Sequence, residues 1–512
     1  MDKSKVDYSV YLVTDSTPAI LGTKDLAAVV EAAVRGGASI VQYRDKHSDR
    51  ETAVATARRL LEVTRRFGVP LLVNDRVDVA VEVGCEGVHI GQDDMAYEEA
   101  RNLLGPNKII GVTASSVEEA LAACKAGADY LGLGTVYATS TKKDTKSIIG
   151  PSGIRAILQA LSSSGHASIP TVCIGGINAR NATAVLLECS AAPAKSLDGI
   201  AVVSALVAAE DPAAAARDLL AKVVTGRVPD VLRAVAEGSP LSHNMTNLVV
   251  QNFAANVALA VGASPIMANY AEEAADLAKL GGALVVNMGT VTPDGLKNHI
   301  QAIQAYNAAG GPVVLDPVGA GATSIRRAAV ETLLSSGKFT IIKGNEREIH
   351  TISNTLTPSS SSSIIQQRGV DSSSTLSLPQ RAALAKSVAR STGAVVVLTG
   401  KTDLVSDGVR TLRIDNGHEF LGRVTGTGCT LGTTLSAMVA AFRGNSLLAA
   451  VAGLVMYEIA AERAGVRDDV RGPGTFVPAF LDELSAVREE TVRGDVKWLA
   501  GAKVEAVEVD EE

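Results

Sequence analysis

Two α/β domains are the fold class this sequence predicts, the first an eightfold β/α barrel. Three observations predict it. The chain has 512 residues, more than one hydrophobic core organises. Apolar residues make up 46% of it and aromatics only 3%, a palette that suits buried parallel strands covered by helices. Strand-like runs, each followed by a helical segment, recur eight times within the first 224 residues.

The elements follow in order. SVYLVTD (9–15) reads as a strand ending in Asp15. A helix over Lys24–Arg35 stops at Gly36–Gly37, as a glycine C-cap would stop it. ASIVQYRDK (38–46), a helix over Glu51–Phe67, and PLLVNDR (70–76) come next. GVHIGQDD (87–94), KIIGVTA (108–114), DYLGLG (129–134), PTVCIGGI (170–177) and DGIAVVS (198–204) complete the eight strands. A doubly wound open sheet is the alternative for the same alternation. Ala213–Val224 reads as the closing helix, giving a first domain over 1–224. TGRVPD (225–230) holds Gly and Pro and reads as a linker, and a short helix, Val231–Glu237, opens the second domain, 231–512. There a β/α pattern resumes at 282–289, 312–323, 339–349, 394–400 and 404–408. The Ser-rich stretch 353–379 is expected to be a disordered surface insertion and the tail 507–512 to be frayed.

A net charge of −7 suggests neither a nucleic-acid partner nor an anionic membrane surface. The five cysteines, at 85, 124, 173, 189 and 429, have no metal-type spacing. The start runs into a strand without a leader-like apolar segment, and no apolar run is long enough to span a bilayer. Free thiols and a cytoplasmic location are expected.

Polar residues gather after the strands: Gln42, Arg44 and Lys46; Asn74 and Asp75; Gln92, Asp93 and Asp94; Thr113; Thr139–Lys142; Gly175 and Gly176; Ser204. In a barrel the C-terminal strand ends share one face, so these residues would converge. The loop closing YLGLGTVYATSTKK (130–143) offers hydroxyls, backbone N–H groups and ammonium groups, the parts of a phosphate cradle, although a solvated turn has the same composition. Arg44, Lys46 and Lys142 suit a diphosphate. Asp75 and Asp94 suit Mg²⁺, which takes one or two carboxylates beside phosphate oxygens. The plain alternatives are an ion pair with Arg76 or a helix N-cap for Asp75, and an N-cap for Asp94. In the second half, VTGTGCTLGTTLSAMVAAF (424–442) places a Gly-rich turn at a helix start, an anion site. Asp316, Asn345 and Glu348 follow strands there and suit Mg²⁺ and phosphate. Cys429 at that helix start is either a thiol of lowered pKa or a packing residue.

QYRDK (42–46), NDR (74–76), GVHIGQDD, GVT (111–113), GLGTVYATSTKK (132–143), IGGI (174–177) and VVS (202–204) together resemble thiamine-phosphate synthase across residues 8–222. That family is a β/α barrel joining hydroxymethylpyrimidine diphosphate to hydroxyethylthiazole phosphate. The resemblance implies that Gln42, Arg44, Lys46, Asn74, Thr113 and Lys142 bind the pyrimidine diphosphate, with Lys142 catalytic. It implies Mg²⁺ at Asp75 and Asp94, and the thiazole phosphate at Thr139, Ser140, Thr141, Gly176, Val203 and Ser204. Asp45 stands where Glu is common, and Thr113 where Ser is common. HNMTN (243–247), ANVALAVGASPIMA (255–268), LDPVGAGAT, KGNEREI, VVLTG and VTGTGCT resemble hydroxyethylthiazole kinase over about 231–490. This implies a ribokinase-like α/β/α domain with ATP as co-substrate. Met267 and Gly426 would contact the thiazole, Lys343 and Thr399 the ATP, and Asp316 and Glu348 would serve Mg²⁺. Lys343 replaces a common Arg, and Ser242 a common Val. Cys429 sits where related sugar kinases place an Asp base. Fusions of this order resemble fungal enzymes, and the kinase resemblance implies a trimer-based homo-oligomer.

Overall fold

A computed structural model describes residues 2–139, 147–357 and 375–509. Two compact units emerge, Met1–Arg227 and Val228–Glu512.

In the first unit the eight expected strands form β1 (Val10–Val13), β2 (Ile40–Tyr43), β3 (Leu71–Asn74), β4 (Gly87–Ile90), β5 (Ile109–Ala114), β6 (Tyr130–Gly134), β7 (Thr171–Ile174) and β8 (Gly199–Val202). All neighbours are parallel, and β8 pairs with β1, so the sheet closes into a barrel and the open-sheet alternative falls. Helix starts follow their caps: Asp25 accepts the N–H of Ala28, and Asp49 that of Thr52. Strand side chains alternate between faces. Tyr11, Ile40, Leu72, Ile109, Tyr130 and Ala201 form the interior core. Two residues further along their strands, Gln42, Asn74 and Val203 therefore face the same interior, as does Thr113 four residues beyond Ile109.

The segment expected as a linker is helical instead. One helix, Pro212–Gly238, runs through Gly226 and Pro229. Burial overrides the local breakers here: Val228, Val231, Leu232 and Val235 are at most 1% exposed. Gly226 serves close packing, since a Cβ there would stand 2.9 Å from Leu186 Cδ1.

The second unit is a nine-stranded sheet of β9 (Leu241–Met245), β10 (Ser264–Ile266), β11 (Ala283–Asn287), β12 (Val313–Asp316), β13 (Ile341–Asn345), β14 (Val395–Thr399), β15 (Asp403–Ser406), β16 (Thr411–Ile414) and β17 (Val504–Ala506). Their order is β10-β9-β11-β12-β13-β14-β15-β16-β17, parallel from β10 to β14 and antiparallel beyond. Helices pack on both faces. Four strands escape the sequence pattern. β9 and β10 lie within the 240–268 stretch, β16 is too short to alternate, and β17 comes just before the tail. Val507 N–H donates to Thr411 O and Val509 O accepts from Lys386, so residues 507–509 are docked and not frayed. The Ser-rich stretch also narrows. Ser353 to Leu356 end the helix Glu346–Leu356, and Ser377 caps the helix Leu378–Thr392 with a capping box. Residues 358–374 lie outside the described residues.

Glu458, in the helix Ser446–Gly465, is 4% exposed and shares a hydrogen bond with Asp403. Its Oε2 has no hydrogen-bond partner among the described residues. Burial, and then the facing Asp403, raise its pKa well above the ordinary 4.5. The folded chain thus keeps a proton that the unfolded chain releases, and stability falls as pH climbs from 4.5. Glu458→Gln removes this charge and can donate an N–H to Asp403. It should melt higher at pH 8 by about 1 kcal/mol of stability, with a smaller gain at pH 5.5. Equal gains at the two pH values would refute the shared-proton reading.

Candidate functional sites

The barrel site is built on the interior residues at its C-terminal mouth. Gln42 is buried and donates from Nε2 to Tyr11 Oη at 2.8 Å. Arg44 lies beyond it and pairs with Asp15 at 3.5 Å. Lys46 Nζ pairs with Asp75 Oδ2. Asp75 is one of two non-glycine residues described with positive φ, at 53°, and its N–H donates to His89 O. Its carboxylate therefore meets Lys46, not Arg76, which reaches the Ser48 carbonyl. Asp94 Oδ2 accepts the N–H of Gly91 at 2.7 Å, closing a turn; the next helix starts later, at Tyr97. Neither aspartate caps a helix. They follow adjacent strands, β3 and β4, and Asp94 Oδ1 takes no hydrogen bond among the described residues. Two carboxylates after adjacent strands, one of them paired with a lysine, fit a Mg²⁺ shared with phosphate oxygens.

Asp45 does a different job. Burial alone would raise its pKa, but N–H groups of His47 and Ser48 hold it at about 2, so it orders the loop.

On the opposite rim, Val136 N–H donates to Ile174 O and Tyr137 N–H to Gly175 O, pinning the loop that leads to Thr139. Gly176 has φ 65°, and a Cβ there would lie 2.9 Å from Tyr137 Cβ and 3.0 Å from Ala138 O. Only a glycine lets β7 and this loop approach so closely. Val203 and Ser204 follow β8, with Ser204 opening the helix Ser204–Val207. Ser140, Thr141 and Lys142 lie outside the described residues. Tyr11, His89 and Tyr130 are the polar residues that sequence reading missed; their place within strands, not after them, disguised them as core.

In the second unit, β11, β12 and β13 aim polar residues at one point. Asp316 is fully buried: Oδ1 accepts from Lys343 Nζ at 2.9 Å and Oδ2 from Asn287 Nδ2 at 2.8 Å. Asn247 Nδ2 bonds Asn287 Oδ1 at 2.9 Å and Cys429 Sγ at 3.4 Å. Burial lowers the Lys343 pKa, but Asp316, Cys429 and Glu348 outweigh it and hold Lys343 protonated. Glu348 accepts N–H groups of Gly319 and Asn345 at 2.8 and 2.9 Å, and burial pushes its pKa up to about 7. With every oxygen of Asp316 and Glu348 already engaged, these two fit direct metal ligation less well than Asp75 and Asp94.

The Gly-rich turn stands over this cluster. Gly426 has φ 92° and precedes the helix Thr427–Ala441. The first helical bond runs from Thr430 N–H to Gly426 O, which leaves the N–H groups of Thr427, Gly428 and Cys429 ahead of the ladder. A Cβ on Gly428 would meet only Lys343 Nζ, at 3.8 Å, so ammonium and helix start face one space. Of the two readings of Cys429, the structure favours the packing residue. Burial, then the nearby Asp316 charge, push its thiol up to about 11, outweighing Lys343 and the hydrogen bonds from Asn287 and Asn247. Thr399 pairs in register with Asn345 across β14 and β13, beside Glu348. Met267 follows the edge strand β10, two strands from β11. Ser242, unusual by resemblance, now has a role: its hydroxyl bonds Ser436 Oγ at 2.6 Å, tying β9 to the helix below.

The two units have the architecture of a two-unit transferase: a β/α barrel with cations and carboxylates at its mouth, and an α/β unit whose Gly-rich helix start faces a buried lysine. Residues 10–206 match the family model described as thiamine monophosphate synthase, and 232–490 the hydroxyethylthiazole kinase family. The chain is 38% identical to a Schizosaccharomyces pombe protein named "Probable thiamine biosynthetic bifunctional enzyme", covering 99% of this chain and 100% of that one. It is 36% identical to the thiamine biosynthetic bifunctional enzyme of Saccharomyces cerevisiae, covering 98% and 99%. Its barrel is 50% identical to thiamine-phosphate synthase of Chloroflexus aurantiacus, covering 43% of this chain and 94% of that one. The chain belongs to the family of thiamine biosynthetic bifunctional enzymes, with thiamine-phosphate synthase and hydroxyethylthiazole kinase domains in that order.

Proposed function

We propose that the second unit (231–512) makes, from ATP and hydroxyethylthiazole, the phosphate ester that the first (1–224) consumes, with 225–230 a helical join. The observation that carries the assignment is that Gln42, Asn74, Thr113 and Val203 all face the barrel interior at the C-terminal ends of their strands, with Lys46, Asp75 and Asp94 in the loops beyond. Gln42, Arg44, Lys46, Asn74, Thr113 and Lys142 bind the pyrimidine diphosphate. Thr139, Ser140, Thr141, Gly176, Val203 and Ser204 hold the thiazole phosphate with its ring nitrogen in line. The carbon–oxygen bond breaks with its electron pair leaving on diphosphate, and the thiazole nitrogen attacks the resulting pyrimidinylmethyl cation, which the electron-rich aminopyrimidine ring stabilises. The barrel needs no nucleophile of its own; Arg44, Lys46 and Lys142 stabilise the departing charge and the loops fix the approach. Mg²⁺ at Asp75 and Asp94 would supply further neutralisation of that charge.

In the kinase unit, Lys343 and the Gly428 turn receive the transferring phosphoryl group, Thr399 contacts ATP, and Met267 and Gly426 contact the thiazole. Asp316 and Glu348 would shape the field around a nucleotide-borne Mg²⁺. Leu248, Val249, Leu259 and Tyr270, on the segments that flank β10 in sequence, are exposed apolar residues that a homo-oligomer would cover, and a trimer-based assembly is the one proposed. No helix among the described residues is long and apolar enough to cross a membrane; the location proposed for the enzyme is the cytoplasm.

One assay tests the whole reading. Purified protein with ATP, Mg²⁺, hydroxyethylthiazole and hydroxymethylpyrimidine diphosphate should form thiamine phosphate. Formation from supplied thiazole phosphate alone would leave the barrel assignment standing and remove the kinase. Mass measurement in solution tests the oligomer.

A further inference from the structure

Within the barrel, five polar side chains from five strands form one unbroken hydrogen-bonded line. Gln42 Nε2 meets Tyr11 Oη at 2.8 Å, and Tyr11 Oη meets Tyr130 Oη at 2.7 Å. Tyr130 Oη meets His89 Nδ1 at 2.7 Å, and His89 Nε2 meets Thr113 Oγ1 at 2.8 Å. The barrel makes room for this line at the expense of two side chains. A Cβ on Gly111 would meet the Tyr130 ring at 2.0 Å, and one on Gly132 would meet His89 Cε1 at 2.9 Å. Both ends of the line, Gln42 and Thr113, are assigned above to the pyrimidine diphosphate.

Each tyrosine hydroxyl, and the neutral imidazole, accepts on one side of this line and donates on the other. Reversing one bond therefore reverses them all. A mismatch would set two donors or two lone pairs face to face inside the barrel, where Tyr11, Tyr130 and Gln42 are buried and His89 and Thr113 half-buried, which is costly. The line thus has two states. In the first, His89 donates from Nε2 to Thr113, whose own hydrogen is left for a ligand. Tyr130 then donates to His89 Nδ1, Tyr11 to Tyr130, and Gln42 spends an N–H on Tyr11, keeping its carbonyl oxygen uncommitted to the line. In the second, Thr113 donates inward, His89 carries its proton on Nδ1, and Tyr11 donates to the Gln42 carbonyl. Gln42 then has only N–H groups left to offer.

We propose that this line makes recognition of the two ends of the pyrimidine substrate a single decision. An anionic oxygen at Thr113 demands the first state. That state leaves Gln42 with an acceptor for an exocyclic amino group on the ring. Tyr11, Tyr130 and His89 are positioning residues and define specificity without touching substrate. The inference rests on the pyrimidine-site assignment and adds to it the reason an aminopyrimidine bearing a diphosphate is chosen.

The test is calorimetric titration of the full chain with Mg²⁺ and no thiazole phosphate, so that nothing turns over. The ligands are hydroxymethylpyrimidine diphosphate and its analogue lacking the ring amino group. Wild type should prefer the amino ligand by roughly tenfold or more, the value of one well-made hydrogen bond. Tyr130→Phe and Tyr11→Phe each cut the line while keeping a ring, so each should weaken the amino ligand by about tenfold and the analogue by under about twofold. Having both variants guards against one that does not fold, which melting curves identify. Equal weakening of both ligands by a folded variant would mean that the line only supports the wall, and the proposal fails. If wild type binds neither ligand, the site assignment itself fails and takes the proposal with it. Nitrogen-15 spectra of wild type with the diphosphate bound give an independent reading: His89 should be neutral with its proton on Nε2. A proton on Nδ1, or an imidazolium, overturns the proposal.

Discussion

Asp94→Asn abolishes condensation and leaves thiazole phosphorylation at the wild-type rate. The structure separates the charge of Asp94 from its structural work. Its Oδ2 accepts the Gly91 N–H that closes the loop after β4, and an amide oxygen accepts it equally well. What the substitution removes is a negative charge after β4, the strand next to the one that Asp75 follows, at the rim proposed to hold the leaving diphosphate. Metal assistance in neutralising a leaving group is worth several kcal/mol, so a loss of about 10²-fold or more in condensation turnover is expected. Asp94→Ala would confound this by also opening the turn. Every residue assigned to phosphorylation lies in the unit Val228–Glu512, and Asp94 lies in Met1–Arg227. The check is turnover of each half-reaction with its own substrates supplied. Parallel loss of both, in a variant that melts like wild type, would rule out two separate sites.

The same separation shows which parts of the molecule were legible in the sequence. All eight barrel strands were, because a buried parallel strand writes a short apolar run and the polar residues after it mark the mouth. The line from Gln42 to Thr113 was not. Tyr11, His89 and Tyr130 lie inside those runs, and an aromatic or histidine within a strand is indistinguishable from core until neighbouring strands are placed. Gly111 and Gly132 carried the signal without its meaning, since the reason for each glycine is a ring on another strand. Gly226 and Pro229 misled because their local preference for a break is outweighed by four buried aliphatic neighbours on the same helix. Cys429 shows the limit for chemistry. A helix start alone argues for a lowered thiol pKa, but burial and Asp316, neither visible in the spacing, reverse the sign.

That reversal sharpens the expectation for the kinase. Gly428→Val should reduce phosphorylation far more than Cys429→Ala, with condensation of supplied thiazole phosphate unchanged in both. A thiol held near 11 is ionised in only about one molecule in 10³–10⁴ at neutral pH, which makes it a poor resident base. Phosphoryl transfer also asks little of a base, because its loose transition state leaves the alcohol proton in place until late. Cys429→Ala removes two weak contacts, with Asn287 and from Asn247 Nδ2 at 3.4 Å, and roughly a tenfold loss or less follows. Gly428 is different. It sits in the first turn of the helix with ordinary helical dihedrals, and a Cβ meets no backbone there, so valine is tolerated by the fold. The side chain would instead project toward Lys343 Nζ, into the space where the N–H groups and the ammonium receive charge. Losing one such donor costs about 10²–10³-fold, and a branched side chain obstructs more than one. Turnover of the two purified variants at saturating ATP and thiazole decides between them. A dead Cys429→Ala beside an active Gly428→Val would make the thiol the dominant group, and would require Asp316 or Lys343 to move before it could ionise.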